Sequence, residues 1–169
     1  MSQDVMECYN QSMKVVIKNA TIDNLRKVQE LSLKLFKKEH KEYDPSLNLQ
    51  WTFGKAGTKY FKNKILKDDG YVLIAIVKNE IVGYLCGGIR KAEAYRNLPI
   101  VAELENTLIL ENFRSRGIGK QLFDEFIKWR KKKNVGKVKV EASAQNELAI
   151  KFYRTKNFKD YALVLEQDL

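Results

Sequence analysis

The sequence predicts an α/β (α+β) fold in which a central mixed, mostly antiparallel sheet is flanked by helices. Three observations predict it. Two runs rich in Val, Ile and Tyr, Tyr71 to Val77 and Ile81 to Ile89, are separated only by Lys78-Asn79-Glu80 and form a hairpin. Apolar residues recur at helical spacing after Thr21 and again from Ile118. The order strand, helix, strand through Leu110, Gly117 to Lys133 and Val138 then requires one parallel pair inside the sheet.

The elements follow in order. Val15, Val16 and Ile17 make a short first strand, and Thr21 is a helix N-cap ahead of Ile22, Leu25, Val28, Leu31 and Leu35. That helix fades by Asp44-Pro45, because the residue before proline is pushed out of the helical region. Residues 46–57 are loop-like, with Leu47, Leu49, Trp51 and Phe53 either walling a pocket or packing the loop down. A short helix covers Thr58 to Leu66, the hairpin follows, and Val101 to Leu110 is a third strand of the same kind. Between them, Arg90 to Pro99 reads as a mobile basic loop near the substrate entrance.

From Ile118 the stripe of Ile118, Leu122, Phe126 and Trp129 marks an amphipathic helix that ends in Lys131-Lys132-Lys133, cations suited to the negative end of a helix dipole. Val138, Val140 and Ala142 alternate with polar residues as a strand, Asn146 to Lys156 is a helix closed by Asn157, and Tyr161 to Leu165 is read as a last strand.

Composition bounds the function. The 169 residues fit one domain, 1–169, in which residues 1–12 precede the first patterned segment as a loose extension. Thirty-one Lys and Arg against 21 Asp and Glu give a net charge of +10, which favours anionic partners, although solvated helix faces account equally well for any one cluster. Two cysteines, Cys8 and Cys86, and one histidine, His40, cannot build a zinc site or a disulfide framework, so no metal is expected. No apolar run is long enough to span a bilayer and the start lacks a signal-peptide core, so the expectation is a cytoplasmic protein without a membrane partner. The lysine run at Lys131 is too short to favour a nucleic-acid partner. A homodimer stays open, since no sequence feature fixes an oligomeric state.

The densest chemical signal is Leu108-Ile109-Leu110-Glu111-Asn112-Phe113-Arg114-Ser115-Arg116-Gly117-Ile118-Gly119-Lys120, a strand passing through a glycine-containing turn into an amphipathic helix. Glycines let a backbone approach a ligand closely, and the unpaired amides of a first helical turn converge on negative charge. Arg116 and Lys120 would add charge to that cradle. A third glycine for a dinucleotide fold and a Gly-Lys-Ser/Thr ending for a P-loop are both missing.

Arg114-x-x-Gly117-x-Gly119 after a strand, followed by Asn146-Glu147-Leu148-Ala149-Ile150-Lys151-Phe152-Tyr153 and Asn157-Phe158, resembles the GNAT superfamily of N-acetyltransferases over about Met13 to Leu165. Two departures are visible. Asn157 stands where the family usually has glycine, and asparagine is the next best residue for a left-handed cap. Glu111 stands where proline is frequent.

The resemblance implies the family's fold, with a splayed parallel strand pair at the cofactor site, and an enzyme that transfers acetyl from acetyl-CoA, without a metal, to a protein, peptide or small-molecule primary amine by direct attack. It implies that main-chain groups of Thr107, Leu108 and Ile109 pair with the pantetheine arm and that Arg114 and the amides of Ser115, Arg116, Gly117, Ile118, Gly119 and Lys120 hold the pyrophosphate. Asn146 matches the residue contacting the cofactor arm. Tyr153 matches both a cofactor contact and the general acid that protonates the departing thiolate. Glu103, Glu105 and Glu141, in that order, match carboxylates used as general base in different branches, and ordered water serves in others. The acceptor is left open, with a slight preference for a protein or peptide terminus. The alternative is a catalytically silent CoA-binding sensor or scaffold.

Overall fold

The computed structural model describes residues 14–167, so the expected loose extension at 1–12 lies outside the described residues. Five strands form one sheet in sequential order: β1 (Val15–Asn19), β2 (Gly70–Val77), β3 (Glu80–Lys91), β4 (Ile100–Ile109) and β5 (Val138–Val140). The first three interfaces are antiparallel and β4–β5 is parallel, as the crossover through the glycine turn requires. The hairpin turn places Lys78 and Asn79 at φ 47° and 65°, both in the left-handed region that a tight hairpin demands.

Helices cover both faces. Helix α1 (Leu25–Glu42) and helix α2 (Lys55–Leu66) lie on one face, where Val28, Leu31 and Phe61 pack on Val72, Ile74, Tyr84, Cys86 and Leu108. Helix α3 (Ile118–Lys132) lies on the other, where Ile118, Leu122, Phe126 and Trp129 meet Leu73, Ala75, Leu85, Ala102 and Leu104. Residues 72–75 are therefore buried on both sides, which explains why that strand shows a continuous apolar run with no alternation. The short helix α4 (Glu147–Arg154) sits beside α3, with Phe152 and Phe158 edge-on to Phe123.

Several boundaries differ from the sequence reading. Thr21 opens a single 3-10 turn, Ile22–Asn24, with its N–H donating to Asn24 Oδ1 at 2.9 Å, and α1 continues from it. Helix α2 begins three residues early, at Lys55. Strand β5 stops at Val140. The expected last strand, Tyr161 to Leu165, is not formed: that segment has no regular structure, and Tyr161, Leu163, Val164 and Leu165 are each more than 70% exposed. Side chains of both alternating faces are in solvent, so the segment's β propensity finds neither a neighbouring edge nor a face to cover. Asn157 takes the left-handed conformation the sequence reading assigned it, at φ 64°, and Phe158 N–H closes the helix end on Tyr153 C=O at 3.2 Å.

Candidate active site

Two features of β4 define the site. Its parallel ladder with β5 lasts only from Ala102–Val138 to Leu104–Val140, while its antiparallel ladder with β3 runs on to Ile109. Residues 105–109 thus have a neighbour on one side and a gap on the other. The β3–β4 register also slips, with Cys86 opposite Asn106 and Gly87 opposite Leu104, so Glu105 is the extra residue of a β-bulge. Ala102 and Leu104 face α3. Glu105 faces the opposite side by ordinary strand alternation, and the bulge brings Asn106 to that side as well, where each bonds Tyr60 of α2.

On that face Glu105 accepts hydrogen bonds from Tyr60 Oη and Lys64 Nζ, and Asn106 Nδ2 donates to Tyr60 Oη at 3.2 Å. Tyr60 and Lys64 are four apart on α2 and so project from one side of it. Burial, with the charge of neighbouring Cys86 and Glu105 next, drives the Tyr60 phenol far above its ordinary range. Glu103 is held by Arg90 Nε at 2.6 Å and by Lys139 Nζ at 3.7 Å. It lies within the paired stretch of β4 and β5, whereas Glu105 lies beside the gap. Glu141 is 73% exposed and shares Lys139 with Glu103, at 3.5 Å.

On the α4 face stands Tyr153, packed against Phe152 and Phe158 at ring separations of 5.3 and 5.5 Å. Burial raises its pKa, and the hydroxyl of Thr107 opposes the rise. Thr107 Oγ1 is itself buried without a hydrogen-bond partner of good geometry, so strand β4 and helix α4 set two hydroxyls side by side next to the gap. Asn146 is the N-cap of α4, its Oδ1 accepting from Ala149 N–H at 3.1 Å.

The turn into α3 fits an anion. Ser115 and Gly117 both have positive φ, 58° and 75°, which folds the backbone amides toward one concave side. Gly117 is the N-cap, no side chain caps the helix, and its first turn contains no acidic residue. The first intrahelical bond there is Gln121 N–H to Gly117 C=O at 3.1 Å, which leaves the amides of Ile118, Gly119 and Lys120 for an outside acceptor. A side chain at Gly117 would meet nothing within 4 Å, so the approach is open. Arg114 bonds back to Ile109 C=O at 3.0 Å and tethers the turn to the end of β4. Lys120 pairs with Asp124 at 2.5 Å in an exposed pair of the kind whose opening costs about 1 kcal/mol or less.

Tyr60, Lys64, Arg90, Asn106 and Lys139 escaped the sequence reading. The i, i+4 spacing of Tyr60 and Lys64 was legible, but only the sheet brings them to Glu105, 41 to 45 residues away. Among the described residues no cluster of His, Cys, Asp and Glu could hold a metal ion, and no helix is long and apolar enough to cross a membrane.

A family model described as Acetyltransferase (GNAT) family matches residues 26–158. The Methanocaldococcus jannaschii protein named Uncharacterized N-acetyltransferase MJ1207 is 28% identical over 162 residues, which cover 94% of this chain and 67% of that protein; the chain thus spans about two-thirds of its relative's length. Among solved structures, a predicted acetyltransferase of Clostridium acetobutylicum with acetyl-CoA superposes at a TM-score of 0.75, with 18% identity over 92% of this chain and 96% of its own. The aminoglycoside acetyltransferase AAC(6')-Iy, in complex with the bisubstrate analogue CoA-S-monomethyl-acetylneamine, superposes at 0.71, with 18% identity over 92% and 98%. The matched segment contains the strand splay, the glycine turn and the Tyr153 helix together, and the chain belongs to the GNAT acetyltransferase family.

Proposed function

We propose that the chain transfers acetyl from acetyl-CoA to a primary amine. The observation that carries this reading is the uncapped, left-handed start of α3 placed directly after a strand whose parallel neighbour has just diverged. The amides from Ser115 to Lys120 would bind the diphosphate, and the main chain of Thr107 to Ile109, open on its β5 side, would pair with the pantetheine arm. Bound acetyl-CoA supplies an activated acyl carbon and a thiolate leaving group.

The chain's own residues manage the protons. Tyr153 holds one on its phenol oxygen, and its raised pKa keeps that proton in place until the sulfur needs it as the carbon–sulfur bond breaks. Glu105 receives the proton of the attacking amine; its position beside the gap favours it over Glu103, which lies within the paired stretch of β4 and β5, and over exposed Glu141. Burial of Tyr153 among Phe152 and Phe158 excludes water from the departing sulfur.

The test is thermal stability with and without acetyl-CoA, because a ligand that binds only the folded state raises the midpoint. At 100 times its Kd the ligand adds about 2.7 kcal/mol, and Gly117→Glu and Gly119→Glu, which set a carboxylate in the cradle, are expected to remove that gain. No rise in the wild-type chain would overturn the reading. A rise without release of CoA thiol for any amine would favour a silent CoA-binding sensor.

A further inference from the structure

The face of β4 that carries Glu105 constrains the acceptor's charge. Four carboxylates on and beside β4 have a cation from the chain: Glu105 has Lys64, Glu103 has Arg90 and Lys139, Glu93 has Arg90 at 3.2 Å and Arg96 at 3.0 Å, and Glu141 has Lys139. A polycationic acceptor needs several unengaged carboxylates, one for each ammonium it desolvates. Here its second and later ammonium groups would have to displace Lys64 or Arg90.

Lys64 and Glu105 themselves are only partly exposed, 20% and 24%, so their charges are weakly screened. Space for the Lys64 ammonium is built in: a Cβ on Gly88 would come within 2.7 Å of Lys64 Nζ. The described partners of that ammonium are the Glu105 carboxylate and the Tyr60 ring, 5.5 Å away, whereas an ammonium has three N–H donors. The carboxylate likewise has acceptor positions beyond the two taken by Lys64 and Tyr60. A positive and a negative group therefore stand side by side on the α2 face of the sheet, with Glu105 on the strand that borders the gap.

We propose that the acceptor is a small zwitterion of the α-amino-acid class, its amine directed to Glu105 and its carboxylate to Lys64, with Lys64 the residue that sets this specificity. The inference rests on the acetyl-transfer reading above. Because the amine and carboxylate of such a molecule are as closely spaced as the two charges of the pair, both are matched without breaking it. Neither a peptide terminus, which lacks the adjacent carboxylate, nor a polyamine is matched in this way.

The experiment measures thiol release from acetyl-CoA by the full chain with a panel of L-amino acids, their carboxamides, spermidine and neamine. The best amino acid is expected to exceed its own carboxamide in kcat/KM by on the order of tenfold, the factor a partly buried charge pair supplies. Spermidine and neamine are expected to fall below it as well. Lys64→Met is expected to erase the advantage by raising KM for the amino acid more than it lowers kcat, and Lys64→Arg to retain it. A carboxamide, spermidine or neamine that equals or exceeds every amino acid overturns the inference, as does a panel in which no amino acid reacts. The acetyl-CoA stability shift separates the two levels: if it is present, only the acceptor class has failed; if it is absent, the transfer reading has failed first. Should Lys64→Met not fold, the wild-type panel and Lys64→Arg still decide.

Discussion

At the scale of the residue, burial decides which groups keep their protons. Tyr153→Phe removes the proton source without removing the ring, so kcat is expected to fall by about a hundredfold while the acetyl-CoA stability shift persists. Unchanged turnover in a folded variant would take Tyr153 out of the mechanism. Tyr84 is fully buried, and its hydroxyl has no hydrogen-bond partner of good geometry, so burial raises its pKa. The sign of the linkage follows. Below about pH 10 both folded and unfolded chains hold the phenolic proton, and above it the unfolded chain releases protons that the folded one retains. Stability is therefore expected to fall as pH rises past about 10, and Tyr84→Phe to flatten that fall in denaturant titrations while leaving stability at neutral pH within about 1 kcal/mol. An unaltered alkaline slope would refute it. Of these residues the sequence exposed Tyr153, through its motif helix, whereas the i, i+4 spacing of Tyr60 and Lys64 says nothing of what they face. Their significance comes from the fold, which lays α2 over the face of β4 that carries Glu105, and from a bulge that brings Asn106 to that same face and leaves no composition signal in Glu105-Asn106.

At the scale of the element, strand and helix types were legible because each periodicity is long. The apolar stripe of α3 and the continuous run of β2 each reflect a face that must be buried. Boundaries failed where tertiary contact decided them, as at β5, which pairs for three residues and then leaves the sheet. The glycine turn joins legibility to a measurable consequence. Gly117 has φ 75°, yet a Cβ there would touch nothing, so the penalty for a side chain is conformational and not steric. Gly117→Ala is expected to destabilise the fold by about 1 to 2 kcal/mol and Gly117→Asn by less, because asparagine tolerates the left-handed region. Equal losses in urea unfolding would mean that the turn relaxes to a different backbone.

At the scale of the whole molecule, both faces of the sheet are closed by helices, and the chain beyond α4 leaves Tyr161, Leu163, Val164 and Leu165 exposed. Tyr161 to Leu165 reads in the sequence as a last strand, and β propensity alone does not place it in the sheet. In the structure Arg96 stacks 4.4 Å over the Tyr161 ring, while Leu163, Val164 and Leu165 stand in solvent. Fully burying a leucine or valine stabilises by about 1.5 to 3 kcal/mol, so a packed strand would contribute several such terms and an exposed segment almost none. Ending the chain after Asp160 is therefore expected to lower the thermal midpoint by less than about 4 °C, the shift that about 1 kcal/mol produces in a chain of this size. The acetyl-CoA stability shift should survive the truncation, because the residues of the cradle and the gap all lie upstream of the cut. A much larger loss of stability would mean that residues 161–165 pack as a strand in solution, and the propensity reading would then hold over the architecture described here.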